Sequence, residues 1–459
     1  MNRFTKITVV FVIISGLFPI ELCAQSKPNV LVILTDDQGY MDLGSYGSKD
    51  LATPNIDRLA TKGVRFTQFY AGAPVCSPSR AAMLTGKYNF NAGLFGNVAP
   101  PHQDPNGKSG LPSSEITMAE VFRSNGYRTA LIGKWHLGHT VEKLPNGQGF
   151  DYFFGHQRGC IDNFSHFFYW SGPNLHDLYQ NNQEIHRPGE FFGDLMVQEA
   201  KTFMDQESDQ PFFMYWAINM PHYPYQGEPK WLDHYAHLES PRKEYAAFVS
   251  TIDELVGEVY AHLEAIGELE NTIIVYQSDH GHSVEERAFF GGGNPGPFSG
   301  AKFSMLEGGI RVPAIISYPK ILPQNELRHH WANSVDWMPT LAEIAGVTLP
   351  IDHPIDGKNL LPLLMDRQIP SPHETMYWAT GRPEDESHPW AVRKGPWKLL
   401  GNPTDPTGKL RFGDTDKLYL VNLETDSTEV KNLASMHPEK TTELHSLYKA
   451  WIEALRTKK

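Results

Sequence analysis

Val30-Leu31-Val32-Ile33-Leu34 runs straight into Thr35-Asp36-Asp37-Gln38-Gly39-Tyr40. Five consecutive apolar residues, three of them β-branched, suit a strand buried on both faces. Two adjacent carboxylates at its end do not belong to a core. Three further runs repeat this layout. Thr129-Ala130-Leu131-Ile132-Gly133 leads into Lys134-Trp135-His136-Leu137-Gly138, and Phe212–Ala217 leads into Pro221-His222-Tyr223-Pro224. Thr272-Ile273-Ile274-Val275-Tyr276 leads into Ser278-Asp279-His280-Gly281-His282. Amphipathic spacing between the runs predicts helices over 54–62, 117–125, 193–205 and 243–266. Strands alternating with helices predict an α/β sandwich, a large and mostly parallel sheet between helices. Ligands in such sheets bind beyond the carboxyl ends of the strands. All four charged clusters are therefore expected in one crevice.

Further along, Ser334 opens a predicted helix that Gly346 closes. After a loop over 369–373, short strand-like pieces at 376–378, 390–393, 397–400 and 418–421 precede a last helix near Pro438. They predict a smaller antiparallel C-terminal sheet with a terminal helix. The expected division is a main domain over 25–368 and a C-terminal subdomain over 369–459. At the other end, Arg3 and Lys6 precede an apolar run from Ile7 to Ile20 and a cleavage point near Ala24. That is the layout of a signal peptide over 1–24, implying an exported protein, periplasmic or extracellular. The run is too short for a stable membrane span. Cys23 leaves a lipidated cysteine open, although Leu22 before it is bulky.

The chain has 459 residues, 40% hydrophobic and 20% charged, which is globular composition. A formal net charge of −13 argues against a nucleic-acid-binding surface. Of three cysteines, only Cys76 and Cys160 lie beyond the signal-like segment, too few for a disulfide scaffold. Either they bridge each other or Cys76 is kept for chemistry.

Asp36 with Asp37, and Asp279 with His280, would face one another across the crevice. Neighbouring carboxylates repel unless a cation sits between them, and their oxygens favour hard calcium or magnesium. Cys76-Ser77-Pro78-Ser79-Arg80 stands just before a predicted helix, where unpaired backbone N–H groups can hold an anion. Arg80 adds a fixed positive fork suited to a tetrahedral oxyanion.

Together with Leu84-Thr85-Gly86, this cysteine motif resembles the signature of the type I sulfatases, of the alkaline-phosphatase-like superfamily. The resemblance continues in family order through Asp36-Asp37-Gln38-Gly39, Thr53-Pro54-Asn55-Ile56-Asp57, Gly133–Gly138, Pro221-His222-Tyr223-Pro224, Ser278-Asp279-His280-Gly281 and Lys302. It extends to Lys417-Leu418-Tyr419-Leu420 and Lys431-Asn432-Leu433-Ala434 near the C-terminus. The resemblance implies oxidation of Cys76 to formylglycine (3-oxoalanine) by a maturation enzyme before export. It implies one Ca2+ held by Asp36, Asp37, Asp279 and His280 and touched by residue 76. His280 stands where the commonest family pattern has Asn. Arg80 and Lys134 would hold the formylglycine hydrate and the sulfate, and Lys302 the sulfate and the leaving oxygen. One hydroxyl of the hydrate would attack sulfur, His222 would act as general acid, and His136 would take the proton that frees sulfate.

Such a protein would hydrolyse sulfate monoesters on carbohydrate: algal ulvan, galactan or fucan, or glycosaminoglycan. Polar groups over 155–166 could grip sugar hydroxyls, and Phe167, Phe168, Tyr169 and Trp170 could stack on a pyranose. Trp390 and Arg393 are further candidates for the mouth. Two alternatives remain open at this point. One is a phosphonate or phosphodiester hydrolase on the same scaffold. The other is a non-catalytic sulfated-glycan-binding protein in which Cys76 stays a thiol or bridges Cys160.

Overall fold

The computed structural model describes residues 27–457, so the segment read as a signal peptide lies outside them. Four strands come first: β1 (Asn29–Thr35), β2 (Val64–Tyr70), β3 (Arg128–Lys134) and β4 (Tyr152–His156). Four two-residue strands follow: β5 (Phe167–Phe168), β6 (Leu175–His176), β7 (Tyr179–Gln180) and β8 (Gln183–Glu184). Then come β9 (Phe212–Ala217), β10 (Thr272–Ser278), β11 (Arg311–Ser317) and β12 (Glu326–Asn333). Apart from a β5-β6 ribbon, these form one ten-stranded sheet in the order β12-β2-β11-β10-β1-β9-β3-β4-β7-β8.

The four apolar runs are the adjacent central strands β10, β1, β9 and β3, all parallel, with β4 parallel beyond them. β1 shows why its sequence is apolar throughout. Val30, Val32 and Leu34 pack on one side with residues of helices Cys76–Thr85, Met118–Ser124 and Trp337–Ala345. Leu31 and Ile33 pack on the other, with helices Pro54–Thr61, Phe192–Met204 and Arg242–Ala265. Each such side chain contributes about 1.5–3 kcal/mol on burial. Helix Met118–Ser124 is started by a capping box: the Thr117 hydroxyl accepts from the Glu120 N–H, and the Glu120 carboxylate from the Thr117 N–H.

The C-terminal unit is an antiparallel meander of β13 (Thr375–Ala379), β14 (Trp390–Lys394), β15 (Trp397–Gly401) and β16 (Leu418–Asn422). Its inner face, including Trp378, Leu400 and Val421, packs on Tyr70, Leu306 and Ile310 of the main unit. Helix Pro438–Thr457 covers the other face through Leu444, Tyr448 and Ile452. No helix among the described residues is long and apolar enough to cross a membrane.

Candidate active site

The ends of the four central strands meet as their parallel order requires. Asp36, beyond β1, and Lys134, the last residue of β3, are paired at 2.5 Å. Arg80 reaches in from helix Cys76–Thr85, with Nη2 3.3 Å from Asp36 Oδ2 and 3.0 Å from Asp279 Oδ2. Asp36, Arg80, Lys134, Asp279 and His280 are all fully buried. Lys302 Nζ donates to Asp37 Oδ2 at 3.0 Å, and His222 Nε2 lies 3.7 Å from the same oxygen. Cys76 opens its helix, with Sγ 3.3 Å from His280 Nε2 and 3.7 Å from Asp36 Oδ1. Asp37 and His136 hold left-handed backbones, with φ of 64° and 56°. Each costs about 1–3 kcal/mol and persists where its surroundings over-determine it.

The charges set one another. Burial raises the Asp36 carboxyl, but Lys134 and Arg80 overcome it and hold it well below the usual range. Burial pushes Asp37 up to about 6 against the pull of Lys302. Burial, then Lys134 and Arg80, keeps His136 well below its ordinary value; burial and Lys302 do the same to His222. Burial works against the charged form of Lys302 too, yet Asp37 raises it well above normal. Two neutral imidazoles, His136 and His222, therefore share the cavity wall with a lysine, Lys302, that keeps its proton.

Three buried carboxylates converge here, and Asp37 Oδ1 accepts no hydrogen bond. Asp36, Cys76, Asp279 and His280 each offer a ligand atom, all within 4.8 Å of one another. An orphaned carboxylate oxygen in such company fits a cation. With sulfur at position 76 the set is mixed; an oxygen there would leave three hard donors and one nitrogen.

Cys76, His136, His222 and Lys302 line one cavity of about 290 Å³, whose wall includes Gln157, Arg158 and Trp170. Every residue expected at the reaction centre from the sequence is thus within this cluster or on its cavity. Other expectations are corrected. Cys76 and Cys160 are free, so the bridged reading fails; burial pushes the Cys160 thiol up to about 12. Trp390 stacks on Tyr448 of the terminal helix, and Arg393 lies over Tyr70 and Trp331, both away from the cavity. Glu285 was missed. It pairs with Lys302 at 3.3 Å and accepts from the Tyr223 hydroxyl at 3.0 Å; its place beyond β10, in the loop after His282, was the available signal. Asp177 was also missed: its carboxylate accepts the Gln157 and Arg158 N–H groups and fixes the cavity wall.

The sulfatase family model matches residues 28–347, well over half of the chain. The chain belongs to the sulfatase family. A second match, to the C-terminal part of N-sulphoglucosamine sulphohydrolase, covers residues 298–458. This sulfatase is 34% identical to N-acetylgalactosamine-6-sulfatase of Sus scrofa, over 75% of its own length and 67% of that protein. It is 35% identical to arylsulfatase A of Bos taurus, over 82% and 75%. The crystal structure of Ps i-CgsB in complex with k-i-k-neocarrahexaose superposes with a TM-score of 0.82 at 29% identity, covering 93% of each chain. The fold is the alkaline-phosphatase-like one, and the protein is a sulfuric ester hydrolase.

Proposed function

We propose that this sulfatase desulfates a carbohydrate, using Cys76 oxidised to formylglycine and one calcium ion held by Asp36, Asp37, Asp279 and His280. The observation that carries this reading is the position of Cys76. It sits at a helix N-terminus, against the buried carboxylates of Asp36 and Asp279 and within reach of Arg80 and Lys134, on the wall of the cavity. Once in place, the converted residue would supply a nucleophilic hydroxyl, and the ion would offset negative charge on the sulfate.

The chain's own side chains do the rest. Arg80 and Lys134 orient residue 76 and the sulfate. Lys302 stabilises charge on the sulfate and the leaving oxygen. His222, with Lys302 beside it, delivers a proton to the departing alcohol. His136, kept neutral by burial and two cations, is suited to accept the proton lost as sulfate is released. The carbohydrate assignment draws on the sulfatase relatives, one named for N-acetylgalactosamine and one solved with neocarrahexaose. Export after cleavage near Ala24 and conversion of Cys76 by a maturation enzyme beforehand complete the proposal.

One preparation from the native host tests it with two readings. The tryptic peptide Phe66–Arg80 is expected to be lighter than its thiol form, and calcium to be present at one per chain. An intact thiol in active protein, or full turnover after exhaustive chelation, would overturn the reading.

His222→Ala gives a separate expectation. Turnover of an alkyl sulfate falls about 10²–10⁴-fold, while an activated aryl sulfate, which needs no acid, is spared most of that loss. Equal losses on the two esters would remove His222 as the proton donor.

A further inference from the structure

The reaction-centre residues Cys76, His136, His222 and Lys302 line the cavity, and about 290 Å³ is at the small end for ligand pockets, roughly 300–1,000 Å³. One sulfated sugar fills such a space, so a longer chain must pass its mouth. There the wall carries Trp170, an indole left 39% exposed. Its ring packs toward Tyr223, centroids 6.3 Å apart, and the Arg287 guanidinium lies 4.8 Å from its centroid. Tyr223 is tied to Glu285, and Glu285 to Lys302. The indole is therefore linked through three contacts, by way of Tyr223 and Glu285, to the catalytic lysine.

Arg287 is the unusual member. It forms no ion pair with a carboxylate among the described residues, although Glu285 is close in sequence, because Glu285 is committed to Lys302. Its turn, Glu286–Ala288, leads into Phe289 and Phe290, which are 62% and 73% exposed and left-handed, at φ of 51° and 64°. Two bulky residues in succession rarely adopt that backbone. Hydrogen bonds from the Phe289, Phe290 and Gly291 N–H groups back to Glu286, Glu285 and Ala288 hold the turn in this form. The lip beside the cavity is thus a fixed shape carrying an unneutralised cation.

We propose that Trp170 and Arg287 form a second sugar subsite at the mouth, which takes the unit adjoining the sulfated one and requires that unit to carry an anion of its own. The inference rests on the carbohydrate-sulfatase reading above and adds the class of neighbour. The indole supplies an apolar surface for a pyranose ring. The guanidinium, stacked 4.8 Å from the indole centroid, presents its N–H donors beside the part of the ring that stays exposed, where they match the oxygens of a sulfate or a carboxylate. A neutral neighbour would leave the guanidinium without a partner and gain only the ring contact.

The test is a cycle between protein and ligand. Wild type, Trp170→Ala, Arg287→Ala and Arg287→Lys are assayed on 4-nitrophenyl sulfate and on sulfated tetrasaccharides from carrageenan, fucoidan and chondroitin sulfate. The best tetrasaccharide is then compared with its analogues bearing a sulfate, a carboxylate or no charge on the neighbouring unit. Arg287→Ala is expected to raise KM about tenfold on the charged neighbours, with kcat little changed, and to have no effect on the uncharged one. Arg287→Lys restores part of the loss. Trp170→Ala raises KM on all three, and both Ala variants lower the preference for tetrasaccharide over 4-nitrophenyl sulfate about tenfold. A sulfate-only or carboxylate-only response identifies which anion is read, and either supports the proposal. Equal effects of Arg287→Ala on charged and uncharged neighbours would overturn it, as would hydrolysis of 4-nitrophenyl sulfate with no tetrasaccharide turned over. Absence of turnover on every sulfate ester, 4-nitrophenyl sulfate included, would instead overturn the sulfatase chemistry on which the subsite depends, and the subsite with it.

Discussion

Cys76→Ala is expected to lower kcat/KM for a sulfate ester by about 10⁴-fold or more, the scale seen when a covalent nucleophile is lost. The fold should hardly notice. Residue 76 is the first of a wholly buried helix, and alanine is the best helix former. His280 keeps its Nδ1 contact with the Gly281 carbonyl, and Asp36 keeps Lys134 and Arg80. A stability change of no more than about 1 kcal/mol follows. Arg80 would be a poorer choice, because its removal leaves Asp36 with Lys134 alone, takes the guanidinium from buried Asp279 and confuses lost chemistry with lost structure. Rates on 4-nitrophenyl sulfate, read beside a thermal melt, decide the matter. A variant that keeps more than a tenth of wild-type turnover would take Cys76 out of the reaction.

The parts of this site that were legible in the sequence share one cause. β1, β3, β9 and β10 are buried on both faces, so their sequences are continuously apolar and their ends stand out as abrupt clusters of charge. Parallel order then places those ends together. Where a strand sits further out, that contrast is lost. β2 reads Val-Arg-Phe-Thr-Gln-Phe-Tyr, and β12 is rich in polar residues because it forms an edge. β11 contains Pro313, which argues against a strand; the structure accommodates it with a register shift between Val312 and Ala314. Trp390 and Arg393 were placed at the mouth because they are the kinds of residue that meet sugars. Strand parity instead turns them to opposite faces of β14, one onto the terminal helix and the other onto Tyr70. Pairings such as Lys302 with Glu285, or Trp170 with Arg287, join segments whose approach depends on loop conformation. No spacing rule announces them.

The second large effect is expected far from the chemistry, at Lys398. Its ammonium lies 2.9 Å from Glu307 Oε1 and 2.9 Å from Glu429 Oε1, with all three side chains fully buried. Lys398 is on β15, Glu307 belongs to the main unit, and Glu429 follows β16, so the triad fastens the C-terminal sheet to the large one. Glu307 also accepts from the Tyr70 hydroxyl and from Arg311, and Glu429 accepts from the Glu307 N–H. Lys398→Met leaves two buried carboxylates facing each other without their shared cation. Breaking a buried ionic group in this way costs about 3–5 kcal/mol, measurable as an earlier urea transition of the C-terminal unit. A loss below about 1 kcal/mol would show that the triad does not fasten the two sheets.

The triad also carries a pH signature. Burial, with the Glu307 charge, pushes Glu429 from 4.5 up to about 7 against the pull of Lys398. A carboxyl raised on folding binds a proton in the native state that the unfolded chain has already released. Its contribution is therefore full below pH 4.5 and is lost as pH rises through about 7. Glu307 behaves in the opposite sense. Burial raises it, but Lys398 and Arg311 hold it near 2, so its contribution is present above pH 4.5 and is lost as pH falls through about 2. The docked sheet should be firmest just above pH 4.5 and should loosen toward pH 8. Glu429→Gln keeps the acceptor for the Glu307 N–H and removes the ionisation, so the decline between pH 5 and 8 should flatten. Thermal melts of wild type and variant across that range read the difference directly. Parallel slopes would mean that Glu429 does not titrate in the docked state.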